Sequence, residues 1–294
     1  MTTSAHPLRA LLLFNCGLML FACMDVTNKY LIASFEVPII AACRYGGNLL
    51  LMLALVAPRQ GQAMIRTQRT GLVWIRALCL CASTVFVVLA FERMPVAETS
   101  AIVFLTPILM ALAAAPLLGE RIGWKGWAAA LLGFLGVMLI VRPGSGLDTV
   151  GVLLALGCAG MSATYNLLSR LLASTETTMA MLFYTALAGT ILFGAMLPWF
   201  WFDRAPSAFE MLLLASLGIY GGLGHFLLTA AFRDAPASLL GPVSYLQLLW
   251  VALLGWMVFD QLPDAVGLLG MVIIGASGVL VTLRSRRVPE EVVR

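Results

Sequence analysis

The sequence predicts an all-α membrane protein of ten transmembrane helices in two inverted five-helix repeats. Three observations carry this. First, the chain has 294 residues, of which 61% are hydrophobic and only 11% charged, with a mean hydropathy of +0.98. Soluble domains are about 25% charged. No core could hide so much apolar surface, so the solvent must be lipid. Second, apolar runs long enough to cross a bilayer recur ten times. Third, the chain resembles itself. Val88 to Val141 holds two such runs, and a second copy lies at Thr229 to Val281. Ala90-Phe91 and Pro95 fall on Ala231-Phe232 and Pro236 at an offset of 141, and the pair Gly133/Gly136 falls on Gly275/Gly278 at an offset of 142. Self-similarity over such lengths marks a repeat architecture.

A spanning helix needs about 20 mostly apolar residues. The ten runs are 8–31, 38–57, 71–92, 96–117, 123–141, 150–171, 178–200, 209–232, 237–259 and 263–284. Turn chemistry separates them at Ala57-Pro58, Met94-Pro95, Gly119-Glu120-Arg121, Arg142-Pro143-Gly144, Ala205-Pro206, Ala235-Pro236 and Leu262-Pro263. No connection could hold a soluble domain; the longest, Arg59 to Thr70, is basic. The halves are 1–145 and 146–294.

Basic residues set the orientation. With the N-terminus inside, thirteen are cytoplasmic: Arg9, Arg59, Arg66, Arg69, Arg76, Arg121, Lys125, Arg170, Arg233, Arg284, Arg286, Arg287 and Arg294. Arg93, Arg142 and Arg204 are outside, and Lys29 and Arg44 lie within spans. Both termini are therefore expected in the cytoplasm. Five helices per half is an odd number, so the second copy is inverted relative to the first. Inverted repeats are the architecture of alternating-access carriers, with a site near the midplane between them.

Several classes are excluded. A net charge of +4 with dispersed basic residues is no nucleic-acid footprint. The six cysteines (Cys16, Cys23, Cys43, Cys79, Cys81 and Cys158) sit inside apolar runs and suit neither a disulfide framework nor a zinc site. No cleavable signal peptide is evident, because the first run is too long. Motifs of an intramembrane enzyme or of ATP binding are lacking, so no cofactor and no metal is expected. The run Gly218-x-x-Gly221-Gly222-x-Gly224 lies inside a span and reads as close helix packing or a hinge.

Transport needs a polar lining at depth, small residues where helices slide, and hinges. Charges within spans are expensive, so each needs a reason. Arg44 in the second run pairs with Asp25 of the first, holds a substrate carboxylate, which its planar fork suits, or takes each in turn, the reading that never leaves it unpaired. Lys29, one turn beyond Asp25, is expected to snorkel to the headgroups. Asn15, Ala22, Asp25 and Lys29 share one side of the first helix, which should face the bundle. In the ninth run Ser244, Gln247 and Trp250 recur at steps of three. The repeat counterpart of Gln247 is Thr106, beside Pro107, which frees a carbonyl that a ligand, water or hydroxyl can engage. These groups read either as cavity lining or as interhelical hydrogen bonds. Tyr245, Trp250, Tyr220 and Tyr165 offer stacking surface for a flat ligand. Trp124, Trp127, Trp199 and Trp201 read as interfacial belt residues. His225 either relays a proton or bonds a neighbouring helix.

Arg44-Tyr45, Ala97 to Pro107, Leu118-Gly119-Glu120, Gly133-x-x-Gly136, and Tyr165 with Ser169-Arg170 occur in that order. Together they resemble the drug/metabolite transporter superfamily, in its EamA-like branch of ten-helix exporters, over nearly the whole chain. The second half departs from that pattern: Gln247-Leu248 stands where the family often has Glu-Pro, and Phe259-Asp260 where it has Gly-Glu. The resemblance implies a secondary transporter of the bacterial inner membrane, not an enzyme. Within the family the chain is most similar to exporters of amino acids, aromatic ones included; carriers of nucleoside-containing metabolites are the alternative. The implied partners are a small-molecule substrate and the lipid bilayer, in a monomer or weak homodimer without nucleic acid.

Overall fold

A computed structural model describes residues 7–106, 108–110, 112–113, 124–141, 146–172, 174–200, 205–234 and 243–285. Each of the ten predicted runs contains a helix. They are α1 (Pro7–Leu31), α2 (Val37–Leu55), α3 (Thr70–Arg93), α4 (Val96–Val103), α5 (Trp124–Val141), α6 (Thr149–Leu172), α7 (Thr178–Met196), α8 (Ala208–Asp234), α9 (Leu246–Phe259) and α10 (Ala265–Ser285). A short helical stretch, Ala57–Gln60 and Gly61–Met64, fills part of the basic loop. No strand occurs among the described residues. Of the predicted features, Pro107 and the turns Gly119-Glu120-Arg121, Arg142-Pro143-Gly144 and Ala235-Pro236 lie outside the described residues.

Local chemistry starts the helices where the sequence places them. Pro38 occupies the first turn of α2, where a missing N–H does no harm. Ser207 and Glu210 form a reciprocal box at the start of α8: Ser207 N donates to the Glu210 carboxylate at 2.8 Å, and Glu210 N to Ser207 Oγ at 3.2 Å. Asp148 accepts from Gly151 N and Asp264 from Gly267 N, each at 2.7 Å, at the starts of α6 and α10. The Glu176 carboxylate accepts from Gln68 N and Arg69 N, so the loop before α7 caps α3.

Six helices are long and apolar enough to cross a membrane: α1, α2, α3, α6, α7 and α8. The other four hold shorter apolar stretches, at Val96–Met110, Leu131–Ile140, Leu246–Phe259 and Ala265–Ser277. Large apolar side chains face outward, with Leu50 68%, Leu131 62%, Met257 69% and Val272 68% exposed. Water would not tolerate that surface; lipid requires it.

The halves interlock. The most extensive helix contacts all join one half to the other: α1 with α8 and α9, α2 with α7 and α8, α3 with α6 and α7, α4 with α6 and α9, and α5 with α10. Shifting every number by five maps this set onto itself. The main core cluster is shared, with Phe91, Met94 and Ile102 of the first half against Ala155, Leu248 and Ile274 of the second. Close approach depends on glycine. A Cβ on Gly218 of α8 would lie 2.7 Å from Gly47 Cα of α2, and one on Gly136 of α5 would lie 2.8 Å from the Gly270 carbonyl of α10.

Corresponding helices break in both halves. After α4 the chain turns at Phe104–Leu105 and resumes as helix at Thr106; before α9 it turns at Ser244–Tyr245. Val243 is helical and α9 resumes at Leu246, so the turn interrupts the ninth run. Pro107 has no N–H to give the Val103 carbonyl. Thr106 Oγ1 donates to that carbonyl instead, at 2.7 Å.

Candidate functional site

A small cavity opens between the halves, lined by Arg44, Tyr45 and Asn48 of α2, Leu80 of α3, Tyr165 of α6, Leu182 and Thr185 of α7, and Gly221 and His225 of α8. Its walls are the counterpart pairs α2/α7 and α3/α8, with α6 added. Three predicted site residues meet here: Arg44, Tyr165 and His225. Arg44 and Asn48 are one turn apart on α2 and so share a face. Arg44 Nη1 donates to Thr84 Oγ1 at 3.3 Å, and its guanidinium lies 5.4 Å from the Tyr45 ring. Tyr45 is fixed in turn by a 2.7 Å hydrogen bond with Thr84 and by stacking on Phe193 at 5.6 Å. The Arg44–Asp25 ion pair, one of the alternatives for Arg44, does not form: no N–O distance between them is within 4.0 Å, because Arg44 turns to the Thr84 hydroxyl on α3. The His225 ring meets the edge of Phe21 at 5.0 Å.

Behind the cavity lies a second arginine. Arg76 is only 4% exposed, although its charge alone assigns it to the cytoplasmic surface. It donates to Ser169 Oγ at 2.6 Å, the Met181 carbonyl at 3.0 Å, Thr185 Oγ1 at 2.9 Å and the Tyr165 hydroxyl at 2.6 Å. Its guanidinium also sits 4.2 Å over the Tyr165 ring. Arg76 thereby fixes two cavity-lining side chains, Tyr165 and Thr185. Among the described residues neither Arg44 nor Arg76 has a carboxylate within ion-pair distance.

The remaining predicted residues gather elsewhere, on α1, α4 and α9. Gln247 Nε2 donates to Asp25 Oδ2 at 3.4 Å, and Trp250 Nε1 donates to Asn15 Oδ1 at 3.0 Å. The side of α1 bearing Asn15, Ala22 and Asp25 does face the bundle. Ser244 is half-buried in the turn before α9. Tyr245 lies 5.5 Å from Phe104, and its hydroxyl is buried without a hydrogen-bond partner. Thr106 is buried and spends its hydroxyl on the Val103 carbonyl, with the Ala159 carbonyl a further 3.4 Å acceptor. Lys29 does not snorkel. Its ammonium donates to the Phe91 and Met94 carbonyls at 2.6 and 2.7 Å, because the C-terminal end of α3, with its unsatisfied carbonyls and negative dipole, lies within reach.

The sequence profile of the EamA-like transporter family matches the chain twice, over residues 8–142 and 149–283. The chain belongs to the EamA-like transporter family. An S-adenosylmethionine uptake transporter of Rickettsia prowazekii is 27% identical over 253 residues, 85% of this chain and 84% of that one. A riboflavin transporter of Vibrio cholerae is 27% identical over 289 residues, 96% and 95% of the two chains. A pseudopaline exporter of Pseudomonas aeruginosa is 28% identical over 235 residues, 78% and 79%. A solved structure, 24% identical, superposes with a TM-score of 0.68 over 95% of this chain and 99% of its own, so the fold is shared. This EamA-like protein is a multi-pass membrane transporter.

The cavity lies between the halves, is lined by the Arg44 guanidinium with Arg76 behind it, and mixes hydroxyl, amide and aromatic surface. Sequence reasoning missed Arg76, Asn48, Thr84 and Thr185. One signal was present: Arg44 and Asn48 are polar residues four apart in an apolar helix. The family motif Tyr165 with Ser169 also has a physical meaning here, since both residues accept from Arg76.

Proposed function

We propose that this EamA-like transporter is a secondary carrier of the bacterial inner membrane, moving amino acids, aromatic ones included, outward by alternating access. All ten helices cross the bilayer, both termini are cytoplasmic, and five helices per half make the two repeats antiparallel. The double profile match and the self-mapping helix contacts support this arrangement. The observation that carries the substrate reading is the positive, carboxylate-free cavity between the halves. The Arg44 guanidinium in low dielectric attracts an anion strongly, and Arg76 behind the wall adds to the positive field. Arg44 has free N–H groups facing the space and can take a carboxylate through two parallel bonds. Tyr165, Tyr45 and His225 provide flat surface for a side chain.

A second reading is favoured by the relatives that move S-adenosylmethionine. That compound is itself an α-amino acid joined to a flat base, so one cavity could serve both. The test is counterflow in proteoliposomes with labelled L-phenylalanine, S-adenosylmethionine, riboflavin and an uncharged nucleoside. Compounds with a free carboxylate should exchange, and riboflavin and the nucleoside should not. Exchange of riboflavin without exchange of any amino acid would overturn the substrate assignment and leave the fold untouched.

A further inference from the structure

Asp25 is half-buried on the side of α1 that faces the bundle, and its carboxylate meets Gln247 of α9. One donor reaches it, Gln247 Nε2 at 3.4 Å, and no cation lies within 4.0 Å among the described residues. One turn on, Asn28 is 1% exposed and its Oδ1 has no hydrogen-bond partner. Residues three apart on a helix are neighbours, so an anionic and a neutral oxygen stand together at depth, both short of donors. A charged carboxylate in hydrocarbon needs a partner, and an orphaned buried oxygen is costly. A bound cation satisfies both.

We infer that Asp25 and Asn28 form the binding site of a monovalent cation, a proton or a sodium ion, whose passage is coupled to that of the substrate. The inference rests on the carrier reading above. The site is separate from the arginine cavity and spans the halves, because Gln247 belongs to α9 and Asp25 to α1. Movement of α9 relative to α1 would remove the Gln247 bond and change the affinity for the cation, which is what coupling requires. The ionisable groups that interact with it are Arg44 of α2, Cys158 of α6 and Cys23 of α1 itself. Lys29 and Glu98 of α4 face each other one turn farther along α1, and α3 turns the carbonyls of Phe91 and Met94 to Lys29.

The test uses the full chain in proteoliposomes, comparing the parent with Asp25→Asn. One arm imposes a pH gradient in sodium-free buffer; the other imposes a sodium gradient at equal pH. A tenfold cation gradient sustains about tenfold accumulation of labelled L-phenylalanine at one-to-one coupling. The parent should accumulate label in one arm, which names the cation, and Asp25→Asn in neither. Counterflow with equal ions on both sides needs substrate binding but no cation gradient, and Asp25→Asn should still move label there. Accumulation by the variant equal to the parent, loss of its counterflow, or a parent driven by neither gradient each overturns the inference. Absence of parental counterflow points instead to the substrate assignment. A substrate-free measurement then decides: the parent's melting midpoint should move with pH, or with sodium replacing potassium, and the movement should shrink in Asp25→Asn. Equal movement in both proteins refutes the cation site.

Discussion

Arg76 shows how one side chain can organise a cavity wall from behind. An arginine has five N–H donors in a fixed fork, and Arg76 makes four hydrogen bonds to α6 and α7. Lysine keeps the charge but not the fork. Arg76→Lys should leave at least one buried acceptor unpartnered and lower stability by about 1–3 kcal/mol, read as a lower melting midpoint in detergent. Because Tyr165 and Thr185 lose their support, substrate affinity should fall as well. Thr106 makes a narrower case. Its hydroxyl replaces the N–H that Pro107 lacks. Thr106→Val should cost about 1–3 kcal/mol, the penalty for an unmet buried carbonyl, and Thr106→Ser should recover most of it. A Val variant as stable as the parent would show that the carbonyl finds another donor. Arg44 was legible in the sequence because a charge in mid-span is conspicuous. Arg76 was not, because it lies only six residues into its helix, where charge counting treats an arginine as a surface residue. Lys29 was misjudged for a related reason: the sequence shows its depth but not the carbonyls that α3 brings to it.

Helix crossings depend on where glycine permits contact. A Cβ at Gly218 would meet the backbone of Gly47, which cannot give way as a flexible side chain can. Gly218→Ala should therefore separate α8 from α2 and destabilise by about 1–3 kcal/mol. Gly46 is the control: nothing lies within 4 Å of a Cβ there, and alanine should stabilise its helix by about 0.5–1 kcal/mol. Thermal unfolding of both variants distinguishes a specific contact from a general dislike of substitution. Helix number and approximate bounds were legible, because lipid demands an apolar run for every crossing. The breaks at Phe104–Leu105 and Ser244–Tyr245 were not, because the same apolar residues serve a continuous helix and an interrupted one. Pro107 hinted at the first break. The repeat pairs Gln247 with Thr106, but the structure directs one to Asp25 and the other to backbone carbonyls.

At the scale of the molecule, the halves are interleaved, and nearly every large contact must be negotiated between them. The proposed alternating access would have to rearrange the α1–α9, α2–α7 and α3–α6 contacts and their counterparts. Burial of Arg76 leaves the basic asymmetry strong, since the other twelve cytoplasmic candidates still outnumber Arg93, Arg142 and Arg204. Single cysteines placed at Gln62 and Ser145 in a cysteine-free background should label from opposite faces, with Gln62 protected from an impermeant reagent in intact cells. Labelling of both from outside contradicts the inverted repeat. The most direct measurement compares L-phenylalanine with its amide in counterflow through the parent and Arg44→Lys. If Arg44 holds the substrate carboxylate, the variant should bind the acid about tenfold more weakly, the effect of losing 1.4 kcal/mol and within the range of one charge-assisted bond, while the amide is unaffected. Equal weakening of acid and amide, or unchanged transport of both, would contradict a carboxylate site at Arg44.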